Sequence, residues 1–318
     1  MKRFVLAGLA AAVAAAFAIG PAPAQAADKT IAFVVNGSSD FWTIAHKGTD
    51  KAVSELKGYS VEFKIPGESS SAEQRRIVED MLARGVAGIG ISPVDPDNST
   101  ALLNSAAGQV PLFTFDSDAP KSNRLLYIGT DNVAAGVQAG ELLKKTLPDG
   151  GKIMLFVGTL GNANARERVE GIKKAIAGTK IEIVDIRTDD IDFVKAKRNV
   201  EDTLTKYDDL SVLVGLYSYN TPIIYDALKA AGKLNQIKVV GFDEDPVTLR
   251  GVQEGAIEGT IVQQPFEFGY QTVKLLAQYI EGDKSFIPAD KLKIIPTQVI
   301  DGSNVVEFQK HMKELLGK

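Results

Sequence analysis

Polar and aromatic side chains in this sequence recur at the ends of short apolar segments. The first such segment, TIAFVVN, ends at Asn36 and is followed by Asp40 and the pair Phe41-Trp42; Trp42 is the only tryptophan of the chain. The later apolar segments are followed in the same way by Ser92, Asp116, Arg166, Phe193, Tyr219, Asn220, Asp243 and Gln263. A few polar groups among aromatic rings are typical of a binding site for a small molecule.

These residue types suit a neutral molecule with many hydroxyl groups. A carboxylate accepts hydrogen bonds from hydroxyls, an arginine donates from a rigid planar fork, and a side-chain amide does both. Aromatic rings offer faces on which the C–H surface of a sugar ring can pack. An anionic ligand is disfavoured because Asp116 and Asp243 would repel it, and the segment GTLGNANARER matches neither a P-loop nor a dinucleotide-binding fingerprint.

Each of these residues also has a purely structural explanation. Asn36 and Asp40 precede or begin a predicted helix, where both residue types commonly cap the N-terminus. Trp42 is compatible with a hydrophobic core, and Arg166 lies in the charged run ARERVEG, which is compatible with an exposed helix. The recurrence of polar and aromatic residues at the same topological position in both halves of the chain favours the binding site.

Alternating strand-like and helical patterns place these residues at the ends of strands. The predicted strands lie at 30–36, 61–65, 88–92, 110–116, 152–158, 181–187, 211–216, 238–242 and 259–262. Helical periodicity occurs between or after them, for example at 41–56, 72–83, 98–107 and 266–280. Apolar strands between helices predict parallel sheets covered on both faces, and ligands bind at the carboxyl ends of such strands.

The strand and helix pattern restarts at KIMLFVG, residues 152–158, so that the second half of the chain resembles the first. Two such halves form either two separate α/β lobes or a single (β/α)₈ barrel, which has a similar length. The predicted number of strands and the long helix at 266–280, after the last clear strand, favour two lobes.

The N-terminal segment has the layout of a cleavable secretory signal. Lys2 and Arg3 precede an uncharged, Ala-rich stretch that ends in Ala24-Gln25-Ala26, and the apolar run is short for a membrane anchor. Residues 1–26 are therefore excluded from the predicted fold. The chain contains no cysteine, so we expect neither disulfides nor a lipidated N-terminal cysteine, and we predict a freely diffusing periplasmic protein.

Composition and motifs argue against several classes of protein. The formal net charge is −4, so nucleic-acid binding is not expected. His46 and His311 are the only histidines, and no G-x-S-x-G, H-E-x-x-H or P-loop motif is present, so neither catalysis nor a cofactor is expected. A metal site is not expected either; one built from Asp116, Asp118 and Asp243 would have to bind a hard cation.

A series of motifs between about residues 29 and 295 carries a specific resemblance to a known family. In chain order they are SSDFW, ISPVDPD, FTFDSDAP, IGTDN, NARERVEG, VVGFDEDP and GTIVQQP. Together they resemble the periplasmic binding proteins of the ribose-binding type, the pentose and hexose receptors of ABC importers. The resemblance implies an α/β fold of two doubly wound parallel-sheet lobes joined by a hinge at which the chain crosses three times. The implied lobes are 27–131 with 265–294, and 132–264 with 295–318.

The resemblance also implies roles for individual residues. Phe41 and Trp42 would hold the two faces of a sugar ring, and Asp116 would accept hydrogen bonds from its hydroxyls. The implied contacts from the second lobe are Arg166, Phe193, Asn220, Asp243 and Gln263.

The sequence departs from the ribose receptors at several positions. They usually have asparagine at Ser92 and arginine at Ser117, and they lack the pair Tyr217 and Tyr219. A hexose, a different pentose or a linear alditol is therefore expected rather than ribose itself. The expected partners are this neutral ligand and a membrane ABC permease, and the protein is expected to be a monomer. Coupling to a chemoreceptor is the alternative. Sugar-responsive repressors have a similar core, but a DNA-binding domain stands where this chain has its signal segment.

Overall fold

The computed structural model describes residues 29–316, so the predicted signal segment 1–26 lies outside the described residues. These residues form two α/β lobes, each built on one six-stranded sheet, so the alternative of a single barrel is wrong. The first lobe contains β1 (Lys29–Val34), α1 (Asp40–Ser54), β2 (Tyr59–Lys64), α2 (Ser71–Ala83), β3 (Gly88–Ile91), α3 (Pro96–Ala107), β4 (Leu112–Phe115), β5 (Leu126–Gly129), α9 (Pro265–Ile280) and β11 (Leu292–Ile294).

The second lobe follows the same alternation of strands and helices. Its elements are α4 (Asn132–Thr146), β6 (Gly151–Val157), α5 (Ala163–Ile176), β7 (Ile181–Thr188), α6 (Phe193–Lys206), β8 (Leu210–Gly215), α7 (Asn220–Ala230), β9 (Lys238–Phe242), α8 (Pro246–Gln253), β10 (Gly259–Val262), β12 (Gln298–Ile300) and α10 (Val305–Leu316). The chain passes between the lobes after β5, after β10 and after β11.

Each sheet reverses its strand order next to its first strand. The orders are β11-β5-β4-β3-β1-β2 and β12-β10-β9-β8-β6-β7. Neighbouring strands are parallel, except that β12 is antiparallel to β10. The helices that follow the adjacent strands β1 and β3 lie on opposite faces of the first sheet, and those that follow β6 and β8 lie on opposite faces of the second. A crevice therefore forms at the carboxyl ends of these strands. The predicted site residues were placed at this same end of both sheets.

Hydrophobic clusters cover both faces of the first sheet. Phe33 of β1 packs with α1 and α9, whereas the neighbouring Val34 packs with α2 and α3. Helices α1 and α9 cross at Gly48 and Gly269, where a Cβ atom on Gly48 would overlap the carbonyl oxygen of Phe266. Glycine is therefore required for the helices to approach this closely, and their packing fixes α1, which carries part of the candidate site.

The nine predicted strands agree with observed strands to within two residues at either end. Strands β5, β11 and β12 and helices α6, α8 and α10 were not predicted. The sequence analysis placed the lobe boundaries at residues 131, 264 and 294. That these positions bound separately folding units stays a prediction. Among residues 29–316, no helix has both the length and the apolar character needed to cross a membrane.

Candidate functional site

A cavity lies between the lobes, at the carboxyl ends of strands from both sheets. It encloses about 430 Å³ of empty space, part of which is open to solvent. The first lobe lines it with Asn36, Gly37, Ser38, Ser39, Phe41, Trp42 and Asp116. The second lobe lines it with Asn164, Arg168, Ile191, Tyr217, Ser218, Tyr219, Asp243 and Gln263. Hydrogen-bonding groups and aromatic rings from both lobes therefore surround one space, which we call the cleft.

Asp116 is the central acceptor of the first lobe. It directly follows β4, and its side chain is buried, at 3% exposure. Its Oδ2 accepts hydrogen bonds from Ser92 Oγ at 2.7 Å and Asn36 Nδ2 at 3.1 Å. Its Oδ1 accepts a longer bond, of 3.4 Å, from Asn164 Nδ2 of the second lobe. The two lobes are thus in contact across the cleft, and Asp116 takes part in that contact.

Asp243 occupies the corresponding position in the second lobe, directly after β9. Its Oδ1 accepts a hydrogen bond from Gln263 Nε2 at 3.0 Å, while Gln263 Oε1 has no partner among the described residues. Both aspartates have left-handed backbones, with φ of 58° at Asp116 and 66° at Asp243. A left-handed backbone is uncommon away from glycine and tends to occur at functional sites. The same strained conformation at two equivalent positions supports a functional role for both carboxylates.

Arg168 is the only cation among the described residues that line the cleft. The side chain is 1% exposed, and its Nε and Nη1 donate to Asn132 Oδ1 at 3.0 Å and to the Leu216 carbonyl oxygen at 2.6 Å. The guanidinium carbon lies 4.6 Å from the centre of the Phe242 ring. Nη2 has no hydrogen-bond partner within residues 29–316. Arg168 therefore offers a free, rigidly oriented donor to an occupant of the cleft.

The structure places the predicted arginine, Arg166, outside the cleft. Its side chain is 45% exposed, and its Nη1 donates to the Leu160 carbonyl oxygen at 2.8 Å, with a second contact of 3.7 Å to Asp97. Residues two apart on a helix face different directions, so only one arginine of the A-R-E-R run can face the sheet. Arg168 lies four residues before the buried Ile172, and this helical spacing could have identified it.

Aromatic rings lie on two sides of the cleft. In the first lobe, Phe41 and Trp42 begin α1 and meet edge to face, with 4.9 Å between their ring centres. Tyr217 and Tyr219 belong to the second lobe, and their ring centres are 6.3 Å apart. Tyr217 donates its hydroxyl to Asn164 Oδ1 at 3.0 Å, so that its ring is held in place at the cleft wall.

Asp189, which the sequence did not single out, anchors this second wall. It directly follows β7, and it accepts hydrogen bonds from the Tyr219 hydroxyl at 2.5 Å and from Asn220 Nδ2 at 2.9 Å. Asn220 was predicted to contact the ligand, but it lies behind the cleft and also accepts from the backbone N–H of Tyr217 at 3.1 Å. Its placement fits a positioning role for the tyrosines.

Three further predicted residues also do not line the cleft. Ser92 lies behind Asp116 and hydrogen-bonds to it. Phe193 begins α6 and is 50% exposed, and its ring centre lies 4.8 Å from that of Tyr219 at the outer edge of the site. Asp40 is exposed at the start of α1, where a carboxylate interacts favourably with the helix dipole. The predicted residues that do line the cleft are Asn36, Phe41, Trp42, Asp116, Tyr219, Asp243 and Gln263.

Two buried carboxyl groups, Asp116 and Asp243, line the cleft, and burial raises the pKa of both. Burial raises the pKa of Asp116 to about 6, although the hydrogen bond from Ser92 opposes the shift. Burial also raises the pKa of Asp243, and the charge of Arg168 opposes it. The third acid of the metal-site alternative, Asp118, instead forms an ion pair with Arg124 at 2.5 Å. Within the described part of the chain, no cluster of three or more potential metal-ligating His, Cys, Asp or Glu residues occurs.

The chain is similar to known proteins in both sequence and structure. The periplasmic binding protein domain matches residues 31–284. The ribose import binding protein RbsB of Escherichia coli (strain K12) is 31% identical over 307 residues, which cover 94% of this chain and 99% of that protein.

Solved structures of sugar complexes have the same fold. A solute-binding protein of an ABC transporter from Burkholderia graminis C4D1M, in complex with D-arabinose, is 30% identical; the match has a TM-score of 0.83 and covers 88% of this chain and 97% of that one. A solute-binding protein from Agrobacterium vitis with bound D-fucose is 27% identical, with a TM-score of 0.83 and coverage of 89% and 98%.

Proposed function

Because this chain belongs to the periplasmic binding protein family, we propose that it captures a neutral monosaccharide or sugar alcohol between its lobes and delivers it to the permease of an ABC importer. The observation that carries this proposal is the unpartnered donor Arg168 Nη2, in a cleft that also contains two buried carboxylates. A hydroxyl can accept from the guanidinium and donate to a carboxylate at the same time, whereas a carboxylate ligand would meet the repulsion of Asp116 and Asp243.

The proposed contacts with the ligand are of two kinds, packing on aromatic rings and hydrogen bonds. The rings of Phe41, Trp42 and Tyr219 would pack on the C–H surfaces of the ligand. Asp116 and Asp243 would accept from hydroxyls, and Arg168 would donate to a hydroxyl or to the ring oxygen. These roles replace the predicted one of Arg166, because only Arg168 reaches the cleft.

The mechanism is closure of the lobes around the ligand. The ligand binds one lobe while the protein is open, and hydrogen bonds from the other lobe then stabilise the closed state. The passage of the chain after β10 lies at the cleft, since Gln263 both lines the cleft and begins that passage. The permease would recognise the closed pair of lobes.

The hydrogen-bonding groups near Asp116 bear on ligand choice. Ser117 is fully buried, and its hydroxyl has no partner among the described residues. Ser117 is not among the residues that line the cleft, and its short side chain cannot supply the guanidinium donors of the arginine that the resembling ribose receptors usually have here. We therefore propose a hexose, a pentose other than ribose, or an alditol.

The location of the protein and its partners are also proposals. The relatives are periplasmic binding proteins, and the N-terminal segment has the features of a cleaved secretory signal, which supports a periplasmic location. The proposed role is binding without catalysis, which is supported by the curated relatives, since these are import binding proteins. We propose that the protein works as a monomer. A chemoreceptor that reads the same closed lobes is the second candidate partner.

A thermal-shift screen tests the proposed ligand class. The purified protein is scanned with pentoses, hexoses and alditols, and with sugar acids and amino acids as controls. A ligand at about 100 times its dissociation constant adds about 2.7 kcal/mol, which corresponds to a rise of roughly 5 °C in Tm. Stabilisation by one neutral sugar or alditol is expected. Stabilisation by anions or amino acids alone would refute the proposed ligand class.

A further inference from the structure

A second cavity lies beside the segments that connect the lobes, and we call it the hinge cavity. Its walls come from Ile44 of α1 in the first lobe, from residues 263–267, and from Phe308 and Met312 of α10 in the second lobe. It encloses about 630 Å³ of empty space, part of which is open to solvent. An occupant would contact both lobes, and because Gln263 lines both spaces, the hinge cavity adjoins the cleft.

Glu244 is the unusual residue of the hinge cavity, which it lines from the turn after β9. Its side chain is buried, at 6% exposure, and no other residue within 29–316 donates a hydrogen bond to either carboxylate oxygen. A buried carboxylate normally has hydrogen-bond partners or a cation beside it, because burial without them is costly. Burial raises the pKa of Glu244 well above its usual range, and the flanking acids Asp243 and Asp245 raise it further.

The neighbouring acids already have donors, so the deficit is specific to Glu244. Asp243 accepts from Gln263 Nε2 at 3.0 Å, and Asp245 accepts from the backbone N–H of Val247 at 2.7 Å. The other acid that lines the hinge cavity, Glu267, accepts from Gln271 Nε2 at 2.9 Å. A cationic donor bound beside Glu244 would pair with both oxygens and oppose the burial that raises its pKa.

The rest of the lining is mainly apolar and aromatic. Phe266, Phe308, Met312 and Leu315 contribute rings and alkyl groups, and His311 is the only basic side chain among the described residues that line the space. Aromatic faces attract cations, and methionine adapts its shape to different apolar groups. The hinge cavity thus combines one unpartnered acid with an apolar wall.

We propose that the hinge cavity is a second binding site, which takes a small organic cation whose ammonium group binds Glu244 and whose apolar body contacts Phe266 and Phe308. An ammonium group has several N–H donors and no acceptor, which matches the two unpartnered carboxylate oxygens. The site is separate from the cleft, and it does not depend on the identity of the sugar.

Benzylammonium chloride is the probe, and benzyl alcohol is its neutral counterpart of similar shape. Isotope-labelled protein, purified after expression of the full chain, is titrated with each probe and followed by amide chemical shifts. The expected result is saturable binding of benzylammonium, with shifts concentrated at 263–267 and on α10. Glu244→Gln should weaken that binding by about tenfold or more, which is about 1.4 kcal/mol.

Glu267→Gln is the matched control, because it removes an equal charge from the same cavity at a carboxylate that already has a donor. It should change benzylammonium affinity by less than about twofold, and benzyl alcohol should bind weakly to all three proteins. Equal binding of benzylammonium by the parent and Glu244→Gln, or equal binding of both probes by the parent, would overturn the proposal.

A second variant keeps the test decisive if Glu244→Gln does not fold. Met312→Ala trims the partly exposed wall on α10 and should weaken benzylammonium binding by about threefold, and unchanged affinity would then overturn the proposal. Sugar binding, measured on the same samples, separates failure of this site from failure of the proposed function.

Discussion

Replacing Arg168 by methionine should remove most of the ligand affinity, because Arg168 provides the only cationic donor among the described residues that line the cleft. A hydrogen bond from a buried charged group contributes about 1.5–3 kcal/mol. The substitution also leaves the negative charges of Asp116 and Asp243 without the opposing guanidinium. We therefore expect a loss of about 2–4 kcal/mol, which is roughly a 30-fold to 1,000-fold increase in Kd.

Arg166→Met is the matched control on the same helix. Arg166 is 45% exposed and donates to a backbone carbonyl that remains accessible to water, so its loss should change binding by less than about 0.5 kcal/mol. Arg168→Lys separates charge from shape: lysine retains the charge but has no planar fork, and we expect an affinity between those of the parent and Arg168→Met.

The assay is isothermal titration calorimetry with the ligand that the thermal-shift screen identifies. Arg168→Met also leaves Asn132 Oδ1 and the Leu216 carbonyl without their donor, so urea denaturation must accompany the titration. We expect the free energy of unfolding to fall by about 2–5 kcal/mol, and binding is compared under conditions in which each variant is folded. If Arg166→Met weakens binding as much as Arg168→Met does, the assignment of the arginine from the structure is refuted.

Three further predictions concern the carboxylates and the helix crossing. Asp243→Asn should raise Kd by roughly 10-fold to 100-fold in the same calorimetric assay, whereas the exposed Asp40→Asn should change it less than about twofold. Because the folded pKa of Asp116 is raised to about 6, the parent loses stability as pH rises from about 4, where the unfolded carboxyl ionises, to about 6, where the folded carboxyl ionises. The unfolding free energy of Asp116→Asn relative to the parent should therefore rise by about 2 kcal/mol between pH 4 and 7. A urea denaturation difference that does not change with pH would contradict the burial argument. Gly48→Ala should lower the unfolding free energy by about 2–4 kcal/mol because the added Cβ overlaps the Phe266 carbonyl, even though alanine usually stabilises a helix by about 1 kcal/mol relative to glycine. Gly302→Ala is the control and should be nearly neutral, because the space around Gly302 is open. A Gly48→Ala variant more stable than the parent would show that α1 and α9 can separate.

Sequence patterns predict most of the buried strands because both faces of each sheet are covered, although the buried four-residue strand β5 was missed. Strand β9 (Lys238–Phe242) is predicted to the residue, since its apolar run ends at Phe242, where its pairing with β10 also ends. The short edge strands β11 and β12 were missed because each spans three residues and is partly exposed. Helix α6 was missed because its buried face contains Asn199 and Thr203 beside Val200, so its hydrophobic stripe is interrupted.

Some site residues could be predicted from the local sequence, whereas others depend on tertiary contacts. Asp116 and Asp243 could be predicted because each directly follows an apolar strand. Asp189 also directly follows a strand, but it begins the sequence DDID, in which several carboxylates are equally plausible. Arg168 lies in a charged helical run, where only its spacing from Ile172 distinguishes it from Arg166. The direction of each side chain depends on how α5 packs and how the chain turns after β7, and tertiary contacts set both.

The two lobes contribute unequally to the cleft, although their folds are similar. Each provides one aspartate with a left-handed backbone, but Arg168, Tyr217 and Tyr219 all belong to the second lobe. A ligand that first packs on the rings of Phe41 and Trp42 therefore meets its strongest polar partners only when the lobes close. A shift from 1% to 99% closed requires about 5.5 kcal/mol of differential affinity, and three second-lobe hydrogen bonds of about 2 kcal/mol each are enough to supply it. The residues that face the ligand from the second lobe should thus determine closure, whereas those of the first lobe should determine the initial encounter.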